Sequence, residues 1–265
     1  MIIVFDIGGT HMRVATSNDG ATLGVVKEAP TPQDFGEGVQ QLAVLARECA
    51  AGGMITAVAG GVPGVLNLEK NALIHAPHLP QWDGQPLKKK LENELVAPVT
   101  LENDAALAAL GEATHGAGKG KRIVAYLTVG TGVGGARIVD GEIDANAFGF
   151  EPGHQIVGNG MTLEQCVSGS GIRARYGKAA EEITDAAVWN EAAQWLAEGI
   201  YNSMVHWSPD IVVLGGSVPA HKFSCDDLAA RAATMPFSLP KTPIVPAALG
   251  DNAGLYGAIM YAQSV

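Results

Sequence analysis

One pattern occurs twice in this chain and limits its possible folds more than any other feature. An apolar strand, Ile2–Ile7, runs into Gly8-Gly9-Thr10 and returns as His11–Ser17. After a Gly-rich break at 116–120 the pattern starts again. Ile123–Val129 leads into Gly130-Thr131-Gly132-Val133-Gly134-Gly135, and Ala136–Val139 returns. Glycines between two apolar runs predict a tight turn. A weak internal repeat opening both halves is what a duplicated lobe leaves behind. The chain has 265 residues, 47% of them apolar, which is enough for two cores rather than one.

Between the repeats the period changes from two to 3.6. Val39, Leu42, Leu45, Ala46 and Cys49 predict a helix over 38–51. Ile55–Ala59 reads as a short strand emptying into a loop at Gly60-Gly61-Val62-Pro63-Gly64. A Pro-rich loop over 75–86 precedes a helix from about Pro86 to Glu94. Val99–Glu102 reads as a strand ending on Asn103-Asp104, followed by an Ala-rich helix over 105–114. Val188, Trp189, Ala192, Leu196 and Ile200 line one side of a long helix from Asp185 to about His206. Ile211–Leu214 is a strand ending in Gly215-Gly216, and 252–264 a terminal helix.

Charge and cysteine content exclude several classes. The formal net charge is −10 and no basic cluster stands apart from acids, which argues against a nucleic-acid partner. The basic run Lys88–Lys90 is followed at once by Glu92 and Glu94, as on a solvated helix face. Cys49, Cys166 and Cys225 are too scattered for a metal knuckle or a disulfide framework, so reduced thiols are expected. No apolar run reaches the ~18 residues of a membrane span and no basic leader precedes the first strand, so a cytoplasmic, membrane-free protein is expected.

Five motifs carry possible chemistry. In Asp6-Ile7-Gly8-Gly9-Thr10, the glycines let backbone N–H groups approach a phosphate and the threonine adds a donor. Asp6 at the strand end can hold Mg2+ through its water shell. Gly130–Gly135 offers the same cradle from the second half; it is neither a Walker loop nor a dinucleotide fingerprint. Asp104 stands where an N-cap belongs, and the helix dipole there keeps a carboxylate ionised, as suits a modest base. Glu151-Pro152-Gly153-His154 and Glu164 are natural partners for vicinal sugar hydroxyls. Leu214-Gly215-Gly216 would let a flat ring lie against backbone, with Asp251-Asn252-Ala253-Gly254 closing that pocket.

Taken in order, these residues resemble the ROK family of sugar kinases within the actin/hexokinase-like ATPase superfamily. The matching stretches are DIGGT (6–10), GGVPG (60–64), LPQWDGQPL (79–87), ENDAALAALGE (102–112), GTGVGGA (130–136), EPGH (151–154), LEQCVSGSGI (163–172), IVVLGGSV (211–218) and LGDNAGLYGA (249–258). The resemblance implies an α/β fold of two ribonuclease H-like (actin-like ATPase) lobes with the active-site cleft between them. We divide them as 1–103 plus 252–265 and 104–251. It implies ATP and Mg2+ as cofactors, handled by Asp6, Gly8, Gly9, Thr10, Thr131, Gly132 and Gly216. It implies a sugar held by Gly64, Asn103, Asp104, Glu151, His154 and Glu164, with Asp104 as the base. A homodimer is plausible on the same ground. The family's Cys-rich zinc loop has no counterpart, because the stretch from Gln155 to Leu163 lacks cysteine; no structural zinc is expected and His154 is left to the sugar. Where the family commonly has Pro-Asn-Leu, this chain has Pro77-His78-Leu79, which leaves the role of His78 open.

The leading reading is ATP-dependent phosphorylation of a hexose or N-acylhexosamine, and two alternatives stay beside it. One keeps the kinase with inorganic polyphosphate as donor. The other is a sugar-binding regulator without catalysis, for which the expected N-terminal helix-turn-helix is not seen.

Overall fold

The computed structural model describes residues 1–158, 160–237 and 241–264. The chain forms two compact units, Met1–Gly111 with Ala145–Gly149 and Asp251–Val265, and Glu112–Asp144 with Phe150–Gly250.

The first unit is built on β1 (Ile2–Ile7), β2 (His11–Ser17), β3 (Val26–Pro30), α1 (Phe35–Ala50), β4 (Ala57–Val62), β5 (Val65–Leu66), β6 (Leu73–His75), α2 (Leu87–Leu95), β7 (Val99–Asn103) and α3 (Asp104–Thr114), which runs on into the second unit. Its sheet order is β3-β2-β1-β4-β7. β1 pairs antiparallel with β2 and parallel with β4, and β4 pairs parallel with β7. The helix α1 starts at Phe35, three residues before the start at 38 that the apolar periodicity predicts. Asp34 caps it by accepting from the Glu37 N–H at 2.9 Å, and Ala51 ends it in a left-handed conformation, φ 47°. Its buried face, with Val39, Leu42 and Ala46, joins Ile3, Phe5 and Trp82 in one core. Trp82 meets Phe35 edge to face at 5.6 Å, and burying a ring of that size contributes about 1.5–3 kcal/mol.

The second unit contains β8 (Ile123–Val129), β9 (Val133–Val139), β10 (Glu142–Ile143), β11 (Ile156–Val157), β12 (Met161–Thr162), α4 (Leu163–Val167), α5 (Gly169–Tyr176), α6 (Ala186–Trp207), β13 (Ile211–Gly215), α7 (Ser217–Lys222), α8 (Cys225–Ala232) and β14 (Ile244–Pro246). Its main sheet is β10-β9-β8-β13-β14, with β8 antiparallel to β9 and parallel to β13, and β13 parallel to β14. Strand for strand this repeats the first sheet, so the duplication read from the glycine turns extends to the whole topology. The final helix, α9 (Ala253–Ser264), belongs to the first unit. Gly111 of α3 and Gly257 of α9 let these two helices meet backbone to backbone, where a Cβ on either would strike the other chain segment.

Three expectations are corrected. Gly60 and Gly61 lie inside β4 rather than in a loop, because the Phe5 ring covers Gly60 where a side chain would stand. Gly134 and Gly135 belong to β9 rather than to the turn before it. The N-cap of α3 is Asn103, whose Oδ1 accepts from the Ala106 N–H at 3.0 Å; Asp104 is the first helical residue. Among the described residues no helix is long and apolar enough to cross a membrane.

Candidate functional site

In the first unit, several of the sequence-predicted residues converge at the C-terminal ends of β1, β4 and β7. Register sets Asp6 beside Gly61 on β4 and Arg13 on β2, and Val62 beside Asn103. A Cβ at Gly61 would lie 3.1 Å from the Asp104 Cα and 3.2 Å from Asp6 Oδ1, so a bare glycine is what lets the two acids approach one strand position. Gly254, opening α9, faces the Asp6 carboxylate in the same way, with a Cβ there 3.3 Å from its Cγ. Asp6 is closely surrounded although part of it reaches solvent. Burial pushes its carboxyl up to about 6, against the pull of Arg13 and with the repulsion of Asp251. Arg13 is engaged elsewhere as well, donating to the Asp251 carbonyl and to Asn252 Oδ1.

The turn after Asp6 is closed by the Gly8 N–H donating to the His11 carbonyl at 2.8 Å, and Thr31 Oγ1 donates to the Gly8 carbonyl. Glycine at position 9 is required by close approach: the His78 side chain occupies the space above it, with its Cβ 2.6 Å from where a Gly9 Cβ would be. The residue left without a role in the sequence thus lies on the turn expected to hold phosphate. The Thr10 hydroxyl meets His11 Nδ1 at 3.2 Å. On the other side, Asn103 Nδ2 donates to the Gly64 carbonyl at 3.0 Å, and Gly64 has the left-handed φ of 86° that its packing on the His75 carbonyl demands. One asparagine therefore caps α3 and tethers the Gly64 loop. Asp104 Oδ1 accepts from the Ala105 N–H at 2.7 Å.

The donor set fits magnesium. Mg2+ keeps most of its waters and takes few protein carboxylates, and Asp6 is a carboxylate whose charge burial leaves under-compensated. Among the described residues no three His, Cys, Asp or Glu side chains cluster as a metal cage. Where the zinc loop would stand, β11 and β12 pair antiparallel, Ile156 with Thr162 and Val157 with Met161, and the nearby Cys166 is buried in α4.

In the second unit, Glu151, His154 and Glu164 come together around the start of β9. Pro152–His154 is a single 3-10 turn packed so tightly that Gly153 touches Val133 and Pro152 reaches Gly135. His154 Nδ1 lies 3.4 Å from Glu151 Oε2. Burial raises the Glu151 carboxyl above the ordinary glutamate range, His154 opposes this and Glu164 adds to it. Glu164 Oε2 accepts from the Val133 N–H at 2.8 Å. The Gly130-Thr131-Gly132 turn is also held by Gly169 N–H and Ser170 N–H, which donate to the carbonyls of Gly130 and Thr131 at 2.8 and 3.1 Å. Gly216 follows β13 at φ 93° with its Cα against the Val129 backbone, leaving no place for a side chain.

Gly61, Arg13 and Gly254 were not singled out as site residues by sequence. Each matters through a contact distant in sequence; Gly61 and Gly254 lie in quoted motifs, GGVPG and LGDNAGLYGA, whereas Arg13 lies in none. Gly61→Ala should leave the fold intact but part Asp6 from Asp104 by a few tenths of an ångström. Turnover should fall by about tenfold to a hundredfold, measured by initial rates beside a circular dichroism control. Unchanged turnover would show that this approach does not matter.

Two sheets that repeat one topology, each opened by a glycine turn between its first antiparallel strands, define the actin-like ATPase class of fold. The chain belongs to the ROK family, whose pattern matches residues 2–265. It is 27% identical to a glucokinase of Streptomyces coelicolor over 310 residues, a match covering 97% of this chain and 96% of the relative. A ROK hexokinase structure from Thermus thermophilus is similar at TM-score 0.85 and 28% identity, covering 99% of this chain and 97% of that one. An inorganic polyphosphate/ATP-glucomannokinase from Arthrobacter is similar at TM-score 0.75 and 28% identity, covering 99% and 98%.

Proposed function

We propose that this chain transfers the γ-phosphoryl group of ATP to the 6-hydroxyl of a hexose or N-acylhexosamine, with Asp104 as the base. That it is a sugar kinase follows from its family and from relatives of that activity. The observation that carries the finer reading is the approach of Asp6 and Asp104 to one glycine, Gly61. It sets a carboxylate suited to a phosphate-bound cation beside one suited to a sugar hydroxyl.

Phosphoryl transfer has a loose transition state, so the protein mainly positions and balances charge. In this reading Gly8, Gly9 and Thr10 and the turn at Thr131 and Gly132 present backbone donors to the phosphates. Asp6 would hold magnesium through water, and the ion would supply positive charge to the phosphate oxygens. Gly64, Asn103, Glu151, His154 and Glu164 orient the sugar. Asp104 holds the reacting hydroxyl by a hydrogen bond and accepts its proton late, as the oxygen–phosphorus bond forms.

ADP release with Mg-ATP across a panel of hexoses and N-acylhexosamines tests this. Turnover on one sugar names the substrate, and silence with ATP but turnover with polyphosphate moves the donor. Silence with both overturns the kinase reading. The polyphosphate alternative is kept because the Arthrobacter relative carries that donor in its description. His154→Ala should weaken sugar binding about tenfold by calorimetry, the loss of one hydrogen bond to a polar hydroxyl. Unchanged affinity would remove His154 from the site.

A further inference from the structure

Glu164 is tied to the second glycine turn as well as to the proposed sugar residues. Its Oε2 accepts from the Val133 N–H at 2.8 Å and stands 2.6 Å from where a Gly132 Cβ would be. The helix that carries it, α4, is followed directly by α5, whose first residues hold the carbonyls of Gly130 and Thr131. The turn is thus fastened at three of its residues, Gly130, Thr131 and Val133, by one short stretch of chain. Glu164 also acts electrostatically on Glu151, which His154 contacts. One carboxylate therefore accepts from the backbone of the turn and acts by its charge on Glu151, which links the turn to the residues proposed for the sugar.

We propose that Glu164 is a positioning residue for the nucleotide: it sets the Gly130–Val133 turn in phosphate-binding geometry and couples that geometry to sugar occupancy. This rests on the reading of the turn as a nucleotide site. Coupling of this kind is reciprocal, so sugar raises nucleotide affinity by the factor by which nucleotide raises sugar affinity. Specificity for reach rather than charge separates this role from simple sugar contact. Aspartate keeps the charge but is one methylene too short for Val133, whereas glutamine keeps the reach and an acceptor oxygen.

The test is calorimetric titration of AMPPNP with Mg2+, without sugar and then with saturating glucose, on wild type, Glu164→Asp and Glu164→Gln, each checked for folding by circular dichroism. We expect Glu164→Asp to bind AMPPNP about fivefold to tenfold more weakly without sugar and to lose the enhancement by glucose, with Glu164→Gln within about twofold of wild type without sugar. Sugar-free affinity unchanged in Glu164→Asp would overturn the proposal and leave Glu164 a sugar contact alone. A Glu164→Asp chain that does not fold would assign the contact to stability and overturn it too. Failure of wild type to bind AMPPNP would instead remove the nucleotide reading on which the proposal stands.

Discussion

Replacing Asp104 by alanine should lower kcat by about a thousandfold while sugar affinity stays within about threefold of wild type. The separation is possible because the structural duty belongs to its neighbour. Asn103 caps α3 through Ala106 and tethers Gly64, so alanine at 104 removes neither contact. Alanine is also the best helix former, which offsets part of what the first turn loses with the Ala105 N–H contact and the Asp104 charge. What is lost is the carboxylate that takes the hydroxyl proton, an interaction made mainly in the transition state. Initial-rate kinetics with the preferred sugar, beside calorimetric sugar binding, reads both numbers. Asn103→Ala should behave differently: loss of the cap costs about 1 kcal/mol of stability, and the untethered Gly64 loop raises KM for sugar. Should Asp104→Ala retain turnover near wild type, the base must be sought elsewhere and the site reading fails with it.

The one-residue difference between Asp104 and Asn103 as cap shows where sequence reasoning reaches its limit. Both residue types cap helices about equally well. The choice between them is made by the sheet, because β7 continues through Asn103 in register with Val62 and the helix starts only after it. Gly60-Gly61 failed for a related reason. Glycine weakens a strand unless something packs against its bare Cα, and that something, Phe5 at one position and Asp6 with Asp104 at the other, is set by tertiary structure. The glycine turns, by contrast, were legible because their signal is local and occurs twice. The long α6 was legible for the same reason, with Leu196 and Ile200 buried at the expected spacing. The hairpin of β5 and β6, two and three residues long, offers too short a period to detect. Arg13 shows no motif at all, since its partners Asp251 and Asn252 lie more than two hundred residues away.

Glu112 ends the quoted ENDAALAALGE stretch but its partners are far along the chain, and Glu112→Ala should destabilise the second unit by about 3–5 kcal/mol. It is wholly buried, yet it has no cationic partner among the described contacts; its carboxylate is satisfied by backbone. The Ala117 N–H donates to Oε2 at 2.8 Å, and the N–H groups of Ala248 and Leu249 donate to Oε1 at 2.9 and 2.7 Å. Removing the side chain would leave three half-buried donors without their acceptor, each worth about 1–3 kcal/mol when left unmade, less what water and local relaxation recover. The placement raises the stakes further. Glu112 opens the first segment of the second unit and Leu249 stands next to its last residue, Gly250, so one carboxylate binds the two ends of that unit's chain together. Its loss should therefore open the unit from its ends. Hydrogen exchange should show Ala117, Ala248 and Leu249 losing protection before the β8–β13 ladder does, and the urea midpoint should fall. Glu112→Gln, which keeps one acceptor oxygen, should be intermediate. A loss below about 1 kcal/mol in Glu112→Ala would mean that water or a shifted loop replaces the carboxylate, and that the ends are held by packing alone.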